Sequence, residues 1–400
     1  MVTGVGLVLP LGLSSDDVWA AVVAGQSAVG PWTRFDIGRP SAAAEVPAFD
    51  IRDHLRVRRH GKFMGRSTRF AVRAAHEAMA VSGLNHGGTA GRTVGVYTGS
   101  GETGLDSGDF LRALDVAWRD GDGADFGALG GRPSKAIDPF FLLRTLSNGG
   151  LGVLAMELEA EGPSHNFVQS EVASAQALAA ACRDLGDGRC DVAVACGHDG
   201  LVNVSTFLAY DKAGLLSRGT ENGSGLALAE GAAVLVLERP VDAEARGAAI
   251  LGRILGVGTA VDPHDEPGTT VSADVIGAAV TSAAEAGEPP AFVVARGIGI
   301  DDADPLEAEA IGSAWPSGPP VTAFKPQTGY LGAATAVAEV SLALLALSRG
   351  TIPPTTGFRS HRGSLDIVRG SARDIDAPEP TALCLSGSWV GQAAAVLVSR

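Results

Sequence analysis

Short, nearly continuous apolar runs alternate along this chain with longer stretches whose apolar positions recur every three to four residues. The runs at 94–98, 165–169, 192–197, 232–238, 291–297, 321–324, 382–387 and 394–399 predict strands. The stretches 15–24, 67–82, 139–158, 172–185, 271–286 and 331–348 predict helices. A strand without a polar face is covered on both sides, so the alternation implies an α/β layered fold. The opening MVTGVGLVLPLG has no basic start and reaches Gly and Pro too soon for a membrane span. It is expected to be the first buried strand and its turn.

Two segments repeat one design. SHNFVQSEVASAQALAAACRDL and VTAFKPQTGYLGAATAVAEVSLALLAL each run from strand through polar turn into a helix rich in small residues. This suggests an internal duplication with its division near 240–250, where ERPVDAEARGAA is charged and contains Pro. The expected halves are 1–240 and 241–400, packed as one unit because no Gly/Ser-rich linker separates them.

Composition narrows the function more than the fold. With a net charge of −14 over 400 residues, nucleic acid is not an expected partner. Cys182, Cys190, Cys196 and Cys384 lack C-x-x-C spacing, and the first three lie on segments that read as helix, loop and buried strand, so they read as reduced core or near-core thiols. No metal and no disulfide is expected, and a cytoplasmic location fits.

GSGETG (99–104) follows a strand and matches a dinucleotide cradle, but no strand ending in an acidic residue follows about twenty residues later. The glycines read instead as a tight turn. In GPSHNFVQSEVASAQAL the strand–turn–helix form would present a nucleophile at a helix N-terminus, yet Glu171 stands there. Taken alone, Glu171 also reads as a first-turn acid that gains from the free N–H groups.

The order of motifs resembles the β-ketoacyl synthase family of the thiolase fold along essentially the whole chain. VTGVGLVLPLG, VWAAVVAGQSAVG, VGVYTGSG, DPFFLLRTLSN, GPS, GSGLALAEGAAVLVLE, FKPQTGYLGAA and LSGSWVGQAAAVLV occur in the family's order. The resemblance implies a thiolase-like five-layer αβαβα fold built from two duplicated halves. It also implies an active site of one Cys and two His. The Cys position falls on Glu171. The motif H-G-T-x-T-x-x-x-D-x-x-E reads RGIGIDDADPLE, with Arg296 at the His and Asp304 and Glu307 retained. The motif K-x-x-x-G-H reads KPQTGY, with Lys325 retained and Tyr330 at the His. Glu339 belongs to the same retained frame.

These replacements are restrictive. A carboxylate would form a reactive anhydride in place of a thioester. Arg keeps its charge at any working pH, and Tyr titrates near 10. No catalysis by this chain alone is expected, and Glu171 and Arg296 are expected to form an ion pair that plugs the old pocket. The family's closing Gly-Phe-Gly-Gly gate is replaced by Ser388, Trp389, Val390, Gly391 and Gln392, which are less able to swing. The loop RGTEN (218–222) is shorter than usual.

Within the family, a full-length chain without the Cys resembles a chain length factor, or ketosynthase β subunit, of a type II polyketide synthase. Many such subunits carry Gln at the nucleophile position, where this chain has Glu171. The implied partners are a Cys-bearing ketosynthase α subunit and an acyl carrier protein, with no cofactor, no nucleic acid and no membrane. Gly108, Phe110, Leu111 and Leu114 are expected to line the acyl tunnel; the plain alternative is that Phe110 and Leu114 are core residues. Strand residues His165, Asn166, Phe167, Val168 and Gln169 are expected at the subunit seam, and Phe140 and Phe141 in the interface or the core. Three other functions remain open: a priming decarboxylase, an enzyme using Glu171 as base, and a pseudo-ketosynthase that only docks a carrier protein.

Overall fold

The apolar runs do form strands, and their doubly covered character sets the architecture. A computed structural model describes residues 1–34, 38, 41–84, 89–101, 107–119, 123–125, 127, 137–217, 224–262, 270–284, 289–357 and 365–400. The first half contains β1 (Val2–Val8), α1 (Ser15–Val23), α2 (Arg66–Ser82), β2 (Val94–Ser100), α3 (Ser107–Ala117), α4 (Gly149–Leu158) and β3 (Ser164–Phe167). It continues through α5 (Ala173–Gly186), β4 (Val192–Gly200), α6 (Val204–Lys212) and β5 (Leu228–Glu238). The second half contains β6 (Arg253–Val261), α7 (Ala273–Ala283), β7 (Phe292–Val294), α8 (Asp304–Ala314) and β8 (Val321–Thr322). It ends with α9 (Thr335–Arg349), β9 (Thr381–Gly387) and β10 (Gln392–Ser399).

In the first sheet β5, β4, β2 and β3 are neighbours in that order, and β1 pairs with β5, so β3 forms an edge. The second sheet runs β6-β10-β9-β7-β8. Alternate residues of each strand point to opposite layers. On β4, Ala193 and Ala195 face the middle of the molecule together with Leu178 of α5 and Val340 of α9, and Phe292 and Cys384 meet them from the second sheet. Val192, Val194 and Cys196 face outward onto Phe70 and Ala74 of α2 and Leu154 of α4. Leu383 and Leu385 of β9 face outward onto α7 and α8 through Ala279 and Ile311. The layers are therefore helix, sheet, helix, sheet, helix, which is the thiolase-like arrangement. Every residue of α9 from Thr335 to Leu347 is buried. That burial explains why Gly332–Arg349 is long and apolar enough to cross a membrane while lying in the central layer.

The two halves repeat one close contact. A Cβ at Gly4 or Gly6 of β1 would lie 2.2 or 1.9 Å from the carbonyls of Ala78 or Ala74 in α2. A Cβ at Gly256 or Gly258 of β6 would lie 2.0 or 2.1 Å from those of Ala283 or Ala279 in α7. Glycine lets each outer helix settle directly on its strand.

Three expectations are corrected. The helix expected over 139–158 is broken into Phe141–Thr145 and α4, with extended Leu146 between them. Gly149 opens α4 because its Cα lies under the Leu143 carbonyl, where a Cβ would meet the oxygen at 2.4 Å. The strand expected at 165–169 pairs only over Ser164–Phe167, and Ser164 and His165 are exposed; the edge is less apolar than expected. The strand β6 was not expected. The negative net charge also hides a local basic excess: Arg58, Arg59 and Lys62 are all exposed on one 3-10 segment, Arg58–Phe63.

Candidate functional site

The first sheet delivers its edge strand to the N-terminus of α5. After Phe167 the chain leaves β3, and Ser170 takes φ +52°, a sparsely populated conformation for a residue with a side chain. Glu171 follows within the turn Ser170–Val172 and is 0% exposed. Its carboxylate therefore points into the protein from the turn where a nucleophile is expected.

The second sheet supplies the groups that meet it. Arg296 lies just past β7, and its Nε donates to Glu171 Oε2 at 2.9 Å. Lys325 Nζ lies 3.4 Å from Glu171 Oε1 and donates to Glu339 Oε1 of α9 at 2.8 Å. Tyr330 is buried, with its hydroxyl 3.2 Å from Ser170 Oγ. The expected pair of Glu171 and Arg296 is thus present, and Lys325 is the second cation on the carboxylate.

The retained acids have a mechanical task. Asp304 and Glu307 sit three residues apart in the first turn of α8 and hold the loop that carries Arg296. Glu307 accepts from the amides of Arg296 at 2.5 Å and Gly297 at 2.9 Å; Asp304 accepts from those of Ile298 at 3.1 Å and Gly299 at 3.0 Å. Four successive amides are satisfied by two carboxyls, so the Arg296 backbone is fixed whatever its side chain does.

Charge states follow from burial and pairing. Burial works against the Arg296 charge, but Glu171, Tyr330 and Glu307 outweigh it and hold the guanidinium above its usual pKa. Burial likewise opposes the Lys325 charge, and Glu339 with Glu171 more than restores it. Burial pushes Glu339 up to about 7, against the pull of Lys325. Burial also raises Tyr330 well above its ordinary value, so it remains a phenol. The site holds two cations, a carboxylate and an acid poised to ionise near neutrality.

Thiol chemistry is absent from the cluster. Burial raises the pKa of all four cysteines, Cys182 to about 11 and Cys384 well above its ordinary value. Thiols held protonated in this way are poor nucleophiles. No histidine takes part in any of the contacts described. The Glu171 carboxylate is thus held between two cations in a charge-assisted cluster.

The other expected residues take no part in these contacts. Gly108 and Phe110 lie in α3, the Phe110 side chain falling outside the described residues; Leu111 is 55% exposed and Leu114 is half-buried. Phe140 stacks edge-on against Phe63 at 5.1 Å, and Phe141 starts the short helix Phe141–Thr145. His165 stacks on Tyr97, Asn166 Oδ1 accepts from Thr98 and Ser100, and Phe167 reaches the central core. Val168 is exposed, and Gln169 Oε1 is buried without a hydrogen-bond partner. Leu142 and Leu146 of the same region are 67% and 49% exposed, and Met156 of α4 is 45% exposed.

A cavity of about 400 Å³ borders Lys325 and Tyr330 and is walled by Leu226, Ile298 and Ile311; Leu111 and Leu114 do not line it. Part of GSGETG (102–104) and RGTEN (218–222) lie outside the described residues. In the gate segment, Ser388 is buried and Val390 is 47% exposed, while Trp389 packs on Tyr210 with ring centroids 6.0 Å apart. Tyr210 was not expected at the site. It lies in α6, outside every recognised motif, and only its place between Tyr330 and Trp389 marks it.

Two family models match the chain: Beta-ketoacyl synthase, N-terminal domain, over residues 1–243, and Beta-ketoacyl synthase, C-terminal domain, over residues 251–359. The chain is 31% identical over 422 residues to the tetracenomycin polyketide synthase ketoacyl synthase beta subunit of Streptomyces glaucescens, covering 100% of this chain and 98% of that protein. It is 29% identical over 404 residues to 3-oxoacyl-(acyl-carrier-protein) synthase 2 of Coxiella burnetii, covering 94% and 92%. Among solved structures, the ishigamide ketosynthase/chain length factor superposes with a TM-score of 0.85 at 26% identity, covering 100% of this chain and 98% of that one.

Proposed function

The chain belongs to the β-ketoacyl synthase family, and we propose that within it the chain is a non-catalytic subunit, a chain length factor. It pairs with a Cys-bearing ketosynthase of a type II polyketide synthase and shapes the tunnel that receives the growing acyl chain. The observation that carries this reading is the buried Glu171–Arg296–Lys325 cluster, which stands where acyl transfer needs a thiolate and imidazoles. The names of two similar proteins, a polyketide ketoacyl synthase beta subunit and a ketosynthase/chain length factor, point the same way.

The partner's seat is the edge strand β3 together with the apolar face of Leu142, Leu146, Met156 and Val168. Exposed apolar groups beside an unpaired strand are a liability that a partner covers. The acyl chain, loaded on the partner's Cys, crosses this seam toward α3. Each methylene that enters an apolar tunnel gains about 0.8 kcal/mol, so the side chain that closes the tunnel sets product length sharply. The subunit works in the cytoplasm and holds no cofactor of its own.

One observation favours a second reading, in which this chain also docks an acidic carrier protein: the exposed cations Arg58, Arg59 and Lys62 lie close together in sequence on one segment. The deciding experiment co-expresses the chain with its Cys-bearing partner and analyses the purified complex under acyl loading. Acyl density that crosses the seam into this chain supports the length factor. Carrier binding without such density leaves only the docking module.

A further inference from the structure

We propose that the cavity of about 400 Å³ beside Lys325 and Tyr330 is a ligand site in its own right, and that it takes a small molecule with an apolar body and a protonated amine as its head. Its size falls within the range of small-molecule sites, roughly 300–1,000 Å³. It also lies where the two halves of the chain meet, a common place for such sites. Val29 and Leu226 come from the first half, and Ile298, Ile311 and Val321 from the second. Leu226, Ile298, Ile311 and Val321 are each less than 9% exposed, so the chamber offers a fixed apolar wall.

The polar part of the lining selects the head. Among the described residues, the charged groups on the wall are Asp301, Asp304, Glu307 and Lys325. The Lys325 ammonium is already shared between Glu171 and Glu339, so it has little charge left for an anion. The acids keep spare capacity. Each oxygen of Asp304 accepts one amide, from Ile298 or Gly299, and a carboxylate oxygen can accept a second donor. Burial raises the pKa of the Asp304 carboxyl, and a cation beside it would offset that cost. Asp301 is exposed and makes no ion pair or side-chain hydrogen bond among the described residues. A further acceptor, Thr356 Oγ1, is buried in the wall without a partner. An anionic head would face Asp301 and Asp304 with no cation free to answer it, whereas an ammonium brings the donors and the charge that this wall lacks. Leu142, Leu146 and Met156 do not line the cavity, so the inference does not rest on the subunit reading.

The test is calorimetry of hexylamine, hexanol and hexanoate against the purified chain, or against its complex with the partner. Hexylamine is a cation at pH 7, and it is expected to bind at one site per chain, about tenfold or more tightly than hexanoate. Ala308→Trp fills the chamber from α8 and is expected to abolish binding. Asp301→Asn, at an exposed position, is expected to weaken hexylamine about threefold while leaving hexanol unchanged, and it serves if Ala308→Trp fails to fold. Any of three results would overturn the site: no binding by the wild type, equal affinity for amine and carboxylate, or hexylamine binding unmoved by these substitutions. None of the readouts involves condensation, product length or pairing, so failure here is distinct from failure of the subunit reading.

Discussion

Arg296 and Glu171 lie 125 residues apart in sequence and follow strands of different sheets, yet they meet through a buried 2.9 Å hydrogen bond. In the proposed reading each stands where the family has a catalytic group, and the two satisfy one another. An uncompensated buried charge is costly, so this contact reads as a matched exchange of chemistry for packing.

The first prediction concerns that match. Arg296→Met leaves the Glu171 carboxylate with Lys325 alone, and the fold should lose about 3 kcal/mol in urea unfolding. Adding Glu171→Leu should recover part of the loss, because the pair is then removed together. Additive losses in the double variant would show that the two residues do not act as a unit.

Protonation of Glu339 should be visible in stability. Burial lifts this carboxyl from its ordinary 4.5 to about 7, with Lys325 opposing. A carboxyl whose folded pKa exceeds its unfolded value binds more protons in the native state. Its penalty is therefore absent below about 4.5 and fully developed above about 7. Relative to Glu339→Gln, the wild type should lose stability between pH 5 and pH 8, as measured by urea unfolding at both. Parallel profiles would mean that Glu339 is ionised throughout.

The apolar face gives a third expectation. Leu142 and Leu146 are exposed at 67% and 49%, so Leu142→Asp and Leu146→Asp should leave the chain's own melting temperature nearly unchanged. Co-purification with the Cys-bearing partner should be lost. Retained pairing would move the seam elsewhere.

A fourth prediction addresses length. Phe110 lies in α3, the helix expected to wall the tunnel. In a reconstituted heterodimer, Phe110→Ala should lengthen the products and Phe110→Trp should shorten them, read by mass spectrometry. An unchanged distribution would remove α3 from the tunnel wall.

The fold was legible where pattern and physics coincide. Runs such as VAVACG are apolar on both faces because both are covered, and the small residues of α5 and α9 allow two helices between two sheets. The strand β6 escaped because Gly256 and Gly258 interrupt its apolar pattern. Those glycines are instead the sites where α7 rests on the strand.

At the site, motif spacing brought Glu171, Arg296, Lys325 and Tyr330 together, since the fold fixes where each motif ends. The amide-holding role of Asp304 and Glu307 was not legible, because hydrogen bonds to backbone leave no trace in residue type. Tyr210 lies in no motif, so its place between the rings of Tyr330 and Trp389 appears only in three dimensions. Exposure is equally hidden. Leu142 and Leu146 fit a continuous helix in the pattern, and only the break before Gly149 turns them outward.

The most direct test is a malonyl condensation assay on three samples: this chain alone, the Cys-bearing partner alone, and the two together. The chain alone should show no turnover, and the mixture should make products whose length responds to changes in this chain. Turnover by this chain alone, abolished by replacing Glu171, would contradict the account.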